Sequence, residues 1–188
     1  MKKYQNKQPI FAISGPSASG KGSVWAPLRD RSDDFVISVS HTTRPPRERD
    51  VHGVDYNFVD DQVFDEIINS DDFLEWEHVH EHRYGTRKSD FLRLVDSDKK
   101  VIIEIDVNGA EFLKKMFQQV VTIFITPSDI KEAHRRLESR NTESKASIEI
   151  RKKRYQMELE KAKKYDHIIF NDNLEVAQSE LDEIVNKY

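Results

Sequence analysis

Apolar residues along this chain gather into five short, dense runs: Ile10–Ser14, Phe35–Ser40, Val101–Asp106, Val120–Thr126 and His167–Asn171. Three of the stretches, VIIEID, VVTIFIT and HIIF, are almost unbroken in apolar side chains. A strand with one wet face alternates apolar and polar, whereas a strand covered on both faces reads as continuous. Between the runs the spacing becomes helical. Ile130, Ala133 and Leu137 share one face, as do Ala177, Leu181, Ile184, Val185 and Tyr188. Strands alternating with helices predict an α/β fold with a parallel sheet. Two segments break the alternation. Residues 38–86 are turn-rich and polar around one short helix, QVFDEIINS, and Arg135–Tyr155 is a dense run of charge. Both read as insertions on the core, where substrates usually bind. The expected division is a core of residues 1–37, 87–130 and 156–188, with insertions at 38–86 and 131–155.

The bulk numbers narrow the function. At 188 residues, 37% hydrophobic and 34% charged, the chain suits one soluble domain with insertions. A net charge of −4 argues against a general nucleic-acid or membrane binder. The arginines at 44, 47 and 49, with Arg83 further along, are therefore a local feature. The lack of cysteine excludes disulfides and thiolate metal sites and suits a reducing compartment. MKKYQNKQPI is unlike a signal peptide, and no apolar stretch is long enough to span a bilayer, so the expected location is the cytoplasm.

Three groups of residues carry chemistry. Gly15, Gly20 and Lys21 in GPSASGKGS have the G-x-x-x-x-G-K spacing of a phosphate-binding loop between a strand and a helix expected to begin near Gly22. Successive backbone N–H groups of such a loop point at phosphate oxygens, the helix adds its positive end, and the lysine reaches the terminal phosphates. Gly22 stands where many such loops have a metal-ligating hydroxyl; Ser23 is the nearest one. In VIIEID, Glu104 and Asp106 are expected on one strand face by the period of two, at the end where open α/β sheets bind ligands. In SVSHTTRPPR, a proline-stiffened turn brings Arg44 and Arg47 close, and their guanidinium forks suit a phosphate dianion. Ser40, Thr42, Thr43 and Tyr56 add hydroxyls. Two phosphate sites near one sheet point to phosphoryl transfer between two phosphorylated molecules. His78, His80 and His82 read as one side of an exposed strand rather than as metal ligands.

In order along the chain, GPSASGKGS, SVSHTTRPPR, GVDYNF, FLEW, YGT, IEIDVNGA, RRLESR and YDHIIFND resemble the motifs of guanylate kinases, from Ile10 to the C-terminus. The resemblance implies a P-loop NTPase-type parallel sheet flanked by helices, with residues 38–86 as a GMP-binding insertion and 131–155 as a helical lid. It implies ATP-dependent conversion of GMP to GDP, with Mg2+ accompanying ATP and its protein ligands left open. On the ATP side it implies Gly15, Ser17, Ala18, Ser19, Gly20, Lys21, Gly22, Ser23, Arg136 and Asn171, the last beside adenine. On the GMP side it implies Ser40, Arg44, Arg47, Tyr56 and Tyr84 at the phosphate, Glu75, Thr86 and Glu104 towards guanine, and Asp106 near the metal and phosphates. Lys21, Arg47, Arg140 and Arg151 are the expected catalytic groups. Guanine offers N1–H and a 2-amino group as adjacent donors and O6 as an acceptor. Glu75 can accept the donors and the Thr86 hydroxyl can donate to O6.

No nucleic-acid, membrane or obligate protein partner is expected. Two rivals remain at this level: a P-loop kinase with another phosphorylated acceptor, and a non-catalytic guanylate-kinase-like module that binds a phosphopeptide. Glu75 with YGT argues against the first, and retention of Lys21 and the lid arginines against the second. The chain departs from the family at Ala18, where a glycine is frequent, at Arg49–Asp50 after the second arginine, and at Ser139-Arg140-Asn141 in the lid. An alanine at position 18 is expected to hold the loop in a conformation that alanine permits.

Overall fold

The computed structural model of the protein describes residues 4–5, 7–31, 33–48, 50–79, 81–138 and 145–188. In chain order the elements begin β1 (Ile10–Ser14), α1 (Lys21–Trp25), β2 (Phe35–Ser38), β3 (His41–Thr42), β4 (Asn57–Phe58) and α2 (Asp61–Asn69). Next come β5 (Phe73–Val79), β6 (His82–Arg87), α3 (Lys88–Val95), β7 (Lys100–Glu104) and α4 (Val107–Met116). The chain ends through β8 (Val120–Thr126), α5 (Ile130–Glu138), α6 (Lys145–Ala162), β9 (His167–Phe170) and α7 (Leu174–Lys187).

The apolar runs form a five-stranded parallel sheet in the order β2-β7-β1-β8-β9. Alternation of side chains along each strand splits the core in two. Phe11, Ile13, Ile102, Ile123 and Ile125 point to one side and pack with Val24 of α1 and Leu181 and Val185 of α7. Ile10, Ala12, Val101 and Ile103 point to the other, against Phe91 of α3 and Leu113 of α4. Full burial of each large side chain contributes about 1.5–3 kcal/mol, so both layers are needed to cover a strand that is apolar on both faces.

Three strand ends differ from the expectation. β7 stops at Glu104, so Glu104 and Asp106 do not share a strand; Asp106 instead caps α4, its Oδ1 accepting the Gly109 N–H at 2.7 Å. β2 ends at Ser38 and β9 at Phe170, which leaves Ser40 and Asn171 just beyond strand ends. The helix after the phosphate loop has only five residues. Pro27 has no N–H to give the Ser23 carbonyl, the chain tightens into a 3-10 turn over Ala26–Asp30, and Gln178 Nε2 donates to that carbonyl at 2.9 Å instead.

The polar insertion, expected as turns around one helix, contains a second sheet in the order β4-β3-β6-β5. The antiparallel pair β5–β6 sets Glu75 against Thr86, Trp76 against Gly85 and Glu77 against Tyr84. Helix α2 covers this sheet through Phe64 and Ile67, which pack on Phe73. Arg83 belongs to that packing and not to the phosphate arginines. It pairs with Asp61 (2.6 Å) and Asp65 of α2, and its guanidinium lies 4.7 Å over the Phe64 ring. The boundaries expected at 86/87 and 155/156 fall inside β6 and α6, which run on without a break. His78 and His82 lie on β5 and β6, on either side of the hairpin turn, rather than along one strand; His80 is outside the described residues.

Gly85 holds the hairpin tight against its cover. A Cβ there would lie 2.7 Å from the Phe73 ring and 2.8 Å from Trp76 Cβ. Gly85→Ala is expected to cost about 1–3 kcal/mol of stability through overpacking. Gly22→Ala, with open space around it, should cost nothing measurable. Urea denaturation of the two variants checks the contrast, and an unchanged midpoint for Gly85→Ala would refute the packing argument.

Candidate active site

A cleft of about 1000 Å³ opens where the C-terminal ends of β1 and β7 meet the second sheet and α6. Of the residues expected at the site, Gly15, Ser17, Ala18, Gly20, Lys21, Gly22, Ser23, Ser40, Arg44, Arg47, Tyr56, Glu75, Tyr84, Glu104 and Asp106 line it. Ser19, Thr86 and Asn171 are buried beside it rather than lining it.

The phosphate loop turns sharply at Gly15 (φ 153°), where a Cβ would sit 2.1 Å from the Ile125 carbonyl oxygen. Ala18 takes a left-handed backbone, φ 65°, a small allowed region that alanine enters only at some cost. The loop keeps the glycine-like turn at a cost of roughly 1–2 kcal/mol. Lys21 Nζ donates to the carbonyls of Gly15 (2.7 Å) and Pro16 (3.2 Å) and lies 3.8 Å from Glu104 Oε1. Asn171, expected beside adenine, gives its amide to the Ser19 carbonyl at 2.8 Å and so braces the loop from beneath.

On the opposite wall Arg44 is buried, with Nη2 2.7 Å from Asp50 and its guanidinium 5.5 Å from the Tyr56 ring and 5.4 Å from the Phe58 ring. The Arg47 N–H donates to the same Asp50 oxygen at 2.8 Å, while the Arg47 side chain is exposed. That backbone bond, with help from Arg44, holds Asp50 below the usual carboxylate range. Tyr56 and Tyr84 meet edge to face at 5.7 Å, and burial lifts the Tyr56 hydroxyl to about 12, so it remains a donor at neutral pH.

Glu75 stands further along this wall. Its Oε1 accepts from the Thr86 hydroxyl (2.7 Å) and the Thr86 N–H (3.1 Å). The hydroxyl has one proton, and it is committed to Glu75. Thr86 therefore orients the carboxylate here instead of offering a donor to the cleft. Burial raises Glu75 to about 7, with Asp106 and Glu77 adding to the rise and Thr86 opposing it.

Sequence reasoning missed Arg154. Its Nη2 contacts both oxygens of Glu77 (2.9 and 3.0 Å) and Asp106 Oδ2 (3.4 Å), and its Nε donates to Glu158 (3.0 Å). Three carboxylates thus share one guanidinium, although burial still raises the pKa of Glu158. Only the i,i+4 pairing with Glu158 was visible in the sequence, and it looks like an ordinary surface pair. Arg136 is held by Glu132 (2.8 Å) and by the Asn171 carbonyl (3.0 Å). Arg140 lies outside the described residues, and Arg151 lies on α6 with only its backbone described.

The guanylate kinase family model matches residues 7–188. A guanylate kinase of Polaromonas sp. is 39% identical over 177 residues, 94% of this chain and 86% of that protein. One from Clostridium perfringens is 39% identical over 180 residues, 96% of this chain and 83% of that protein. The crystal structure of guanylate kinase from Anaplasma phagocytophilum aligns with a TM-score of 0.76 at 28% identity, over 97% of this chain and 87% of that one.

The raised Glu75 gives a pH-dependent stability. A carboxyl whose folded value exceeds its unfolded one stabilises the fold fully below about pH 4.5, and that contribution disappears as pH rises through about 7. Glu75→Gln removes the charged form, so it should raise the melting temperature of the ligand-free protein by roughly 3–8 °C at pH 8. The gain should shrink towards pH 5. An equal gain at both pH values would assign the effect to packing rather than charge.

Proposed function

The chain belongs to the guanylate kinase family and is an ATP:GMP phosphotransferase, and from that premise we propose how its cleft divides the work. The observation that supports the division best is Glu75: a half-buried carboxylate fixed at Oε1 by Thr86, in the wall that also carries Arg44, Tyr56 and Tyr84. That wall, from the insertion at 38–86, holds GMP. Arg44, Arg47, Ser40 and the two tyrosines take its phosphate, and Glu75 accepts from N1–H and the 2-amino group of guanine. The loop Gly15–Ser23 holds the ATP phosphates, and residues 131–155, with Arg136, Arg140 and Arg151, act as the lid.

The reaction needs little covalent help from the protein. A GMP phosphate oxygen attacks the γ-phosphorus of ATP, the bond to the bridging oxygen breaks, and ADP leaves with that electron pair. The attacking oxygen is already anionic, so no base has to remove a proton, and the protein contributes position and electrostatic stabilisation. Lys21 leaves its two loop carbonyls to meet charge on the transferring group. The donor set also fits a magnesium ion arriving with ATP. Glu104 and Asp106 are hard oxygen ligands beside the loop, and magnesium is usually held by one or two carboxylates, waters and substrate phosphates. Among the described residues no cluster of three acidic or histidine side chains could hold an ion alone. When bound, the ion would offset phosphate charge. No helix among the described residues is long and apolar enough to cross a membrane, and a cysteine-free ATP-dependent enzyme suits the cytoplasm.

Base reading by Glu75 gives the decisive test. IMP lacks the 2-amino group and forfeits one charge-assisted bond, about 1.5–3 kcal/mol, so its kcat/KM should fall roughly ten- to a hundredfold below that of GMP. AMP should be worse, because it presents an acceptor at N1. Glu75→Gln should erase much of both margins. Equal use of AMP and GMP, or full discrimination in the variant, would remove Glu75 from the role.

Lys21→Ala should lower kcat by at least about a hundredfold, the size of effect seen when one preorganised donor is lost. A folded variant with near-normal kcat would contradict the role given to the ammonium group.

A further inference from the structure

Arg154 joins three parts of the molecule that are far apart in the chain. It projects from α6 into the cleft, reaches Glu77 on β5, 77 residues away, and approaches Asp106 at the start of α4. Its fork is divided, with Nε on Glu158 one turn along α6 and Nη2 on the other two carboxylates. Glu77 lies two residues from Glu75 on the same strand, so both side chains leave the same face of the sheet. Glu77 and Asp106 are the two carboxylates whose charge acts against an ionised Glu75. The wall also carries Arg44, Tyr56, His78 of β5 and Thr86 and Tyr84 of β6, and it is faced by Glu158 from α6 and by Lys21 and Glu104 from the core.

We propose that Arg154 is a positioning residue for base recognition: it fixes Glu77 and offsets its charge, so that Glu75 meets guanine as a carboxylate. It acts through Glu75 and touches neither substrate. The arrangement makes guanine recognition depend on the placement of α6, because a shift of that helix carries the guanidinium away from Glu77. The proposal rests on the reading of Glu75 given above and adds what controls it.

The test is the pH dependence of kcat/KM for GMP, measured between pH 5.5 and 8.5 with saturating ATP and magnesium. GMP's own phosphate titrates near pH 6, but it does so identically in every variant, so differences in midpoint belong to the protein. Arg154→Ala should move the midpoint to higher pH by about one unit and raise KM for GMP at pH 7 roughly fivefold, since the charged fraction there falls from about one half to about one in eleven. KM for ATP should stay within about twofold. Arg154→Lys keeps the charge without the fork and should restore most of the midpoint. Adding Glu77→Gln to Arg154→Ala removes one offending charge and should return the midpoint towards wild type.

Glu77→Gln alone should shift the midpoint to lower pH. That arm decides the matter if melting curves show Arg154→Ala to be unfolded. An unmoved midpoint in Glu77→Gln, or in a folded Arg154→Ala, overturns the proposal. So does a rise in KM for ATP with the GMP profile unchanged, which would assign Arg154 to the phosphates. The base reading is checked separately by wild-type selectivity among GMP, IMP and AMP. If wild type prefers GMP and the midpoints do not move, the role of Arg154 alone fails.

Discussion

Charge in a half-buried cleft has to be neutralised before any ligand arrives, because an unpaired ion there costs several kcal/mol. The arrangement of this molecule follows from that requirement. Lys21 rests on two carbonyls of its own loop, Arg44 on Asp50, and Arg154 on Glu77, Asp106 and Glu158. These contacts lock the long cationic side chains into a few positions. On the proposed assignments, little rotamer freedom would then be left to lose when phosphates replace the protein acceptors.

Support for these positions comes from outside the cleft. Asn171, just past β9, donates to the Ser19 carbonyl, and its own N–H donates to Thr126 at the end of β8 (2.9 Å). Gln178 of α7 satisfies the carbonyl that Pro27 leaves without a partner. The loop therefore hangs from the rigid parallel sheet and its last helix, which fits the strained turn at Ala18. On the other wall Thr86 does the same for Glu75, from the strand directly opposite.

How much of this was legible depended on the range of the signal. β1 and β8 match the apolar runs residue for residue, because burial on both faces leaves an unbroken mark. The end of β7 was misread because alternation of Glu104 and Asp106 mimics a strand; the better sign was an aspartate three residues before Gly109, the spacing of a helix cap. β3 and β4 have two residues each, too few to show any period, so the second sheet was hidden. The phosphate loop and the paired arginines are local motifs and could be read directly. The union of Arg154 with Glu77 is not local, and its arginine sits in a run of charge where one more cation carries no information. Asp50 was visible only as part of a departure after the second arginine; its grip on Arg44 required the turn to be folded.

That grip has a consequence for how the acceptor wall responds to salt. Arg44 has an anionic partner of its own in the Asp50 carboxylate. On the proposed assignment, a phosphate taking that place would exchange one anion for another at the same guanidinium, so the ions screened away from Arg44 before and after would be nearly the same. Ionic strength then acts on both sides of the exchange, and little of the acceptor's affinity at Arg44 comes from long-range attraction. Among the described residues of this wall, the exposed Arg47 side chain would then be the group suited, on that assignment, to draw a dianion in from bulk water.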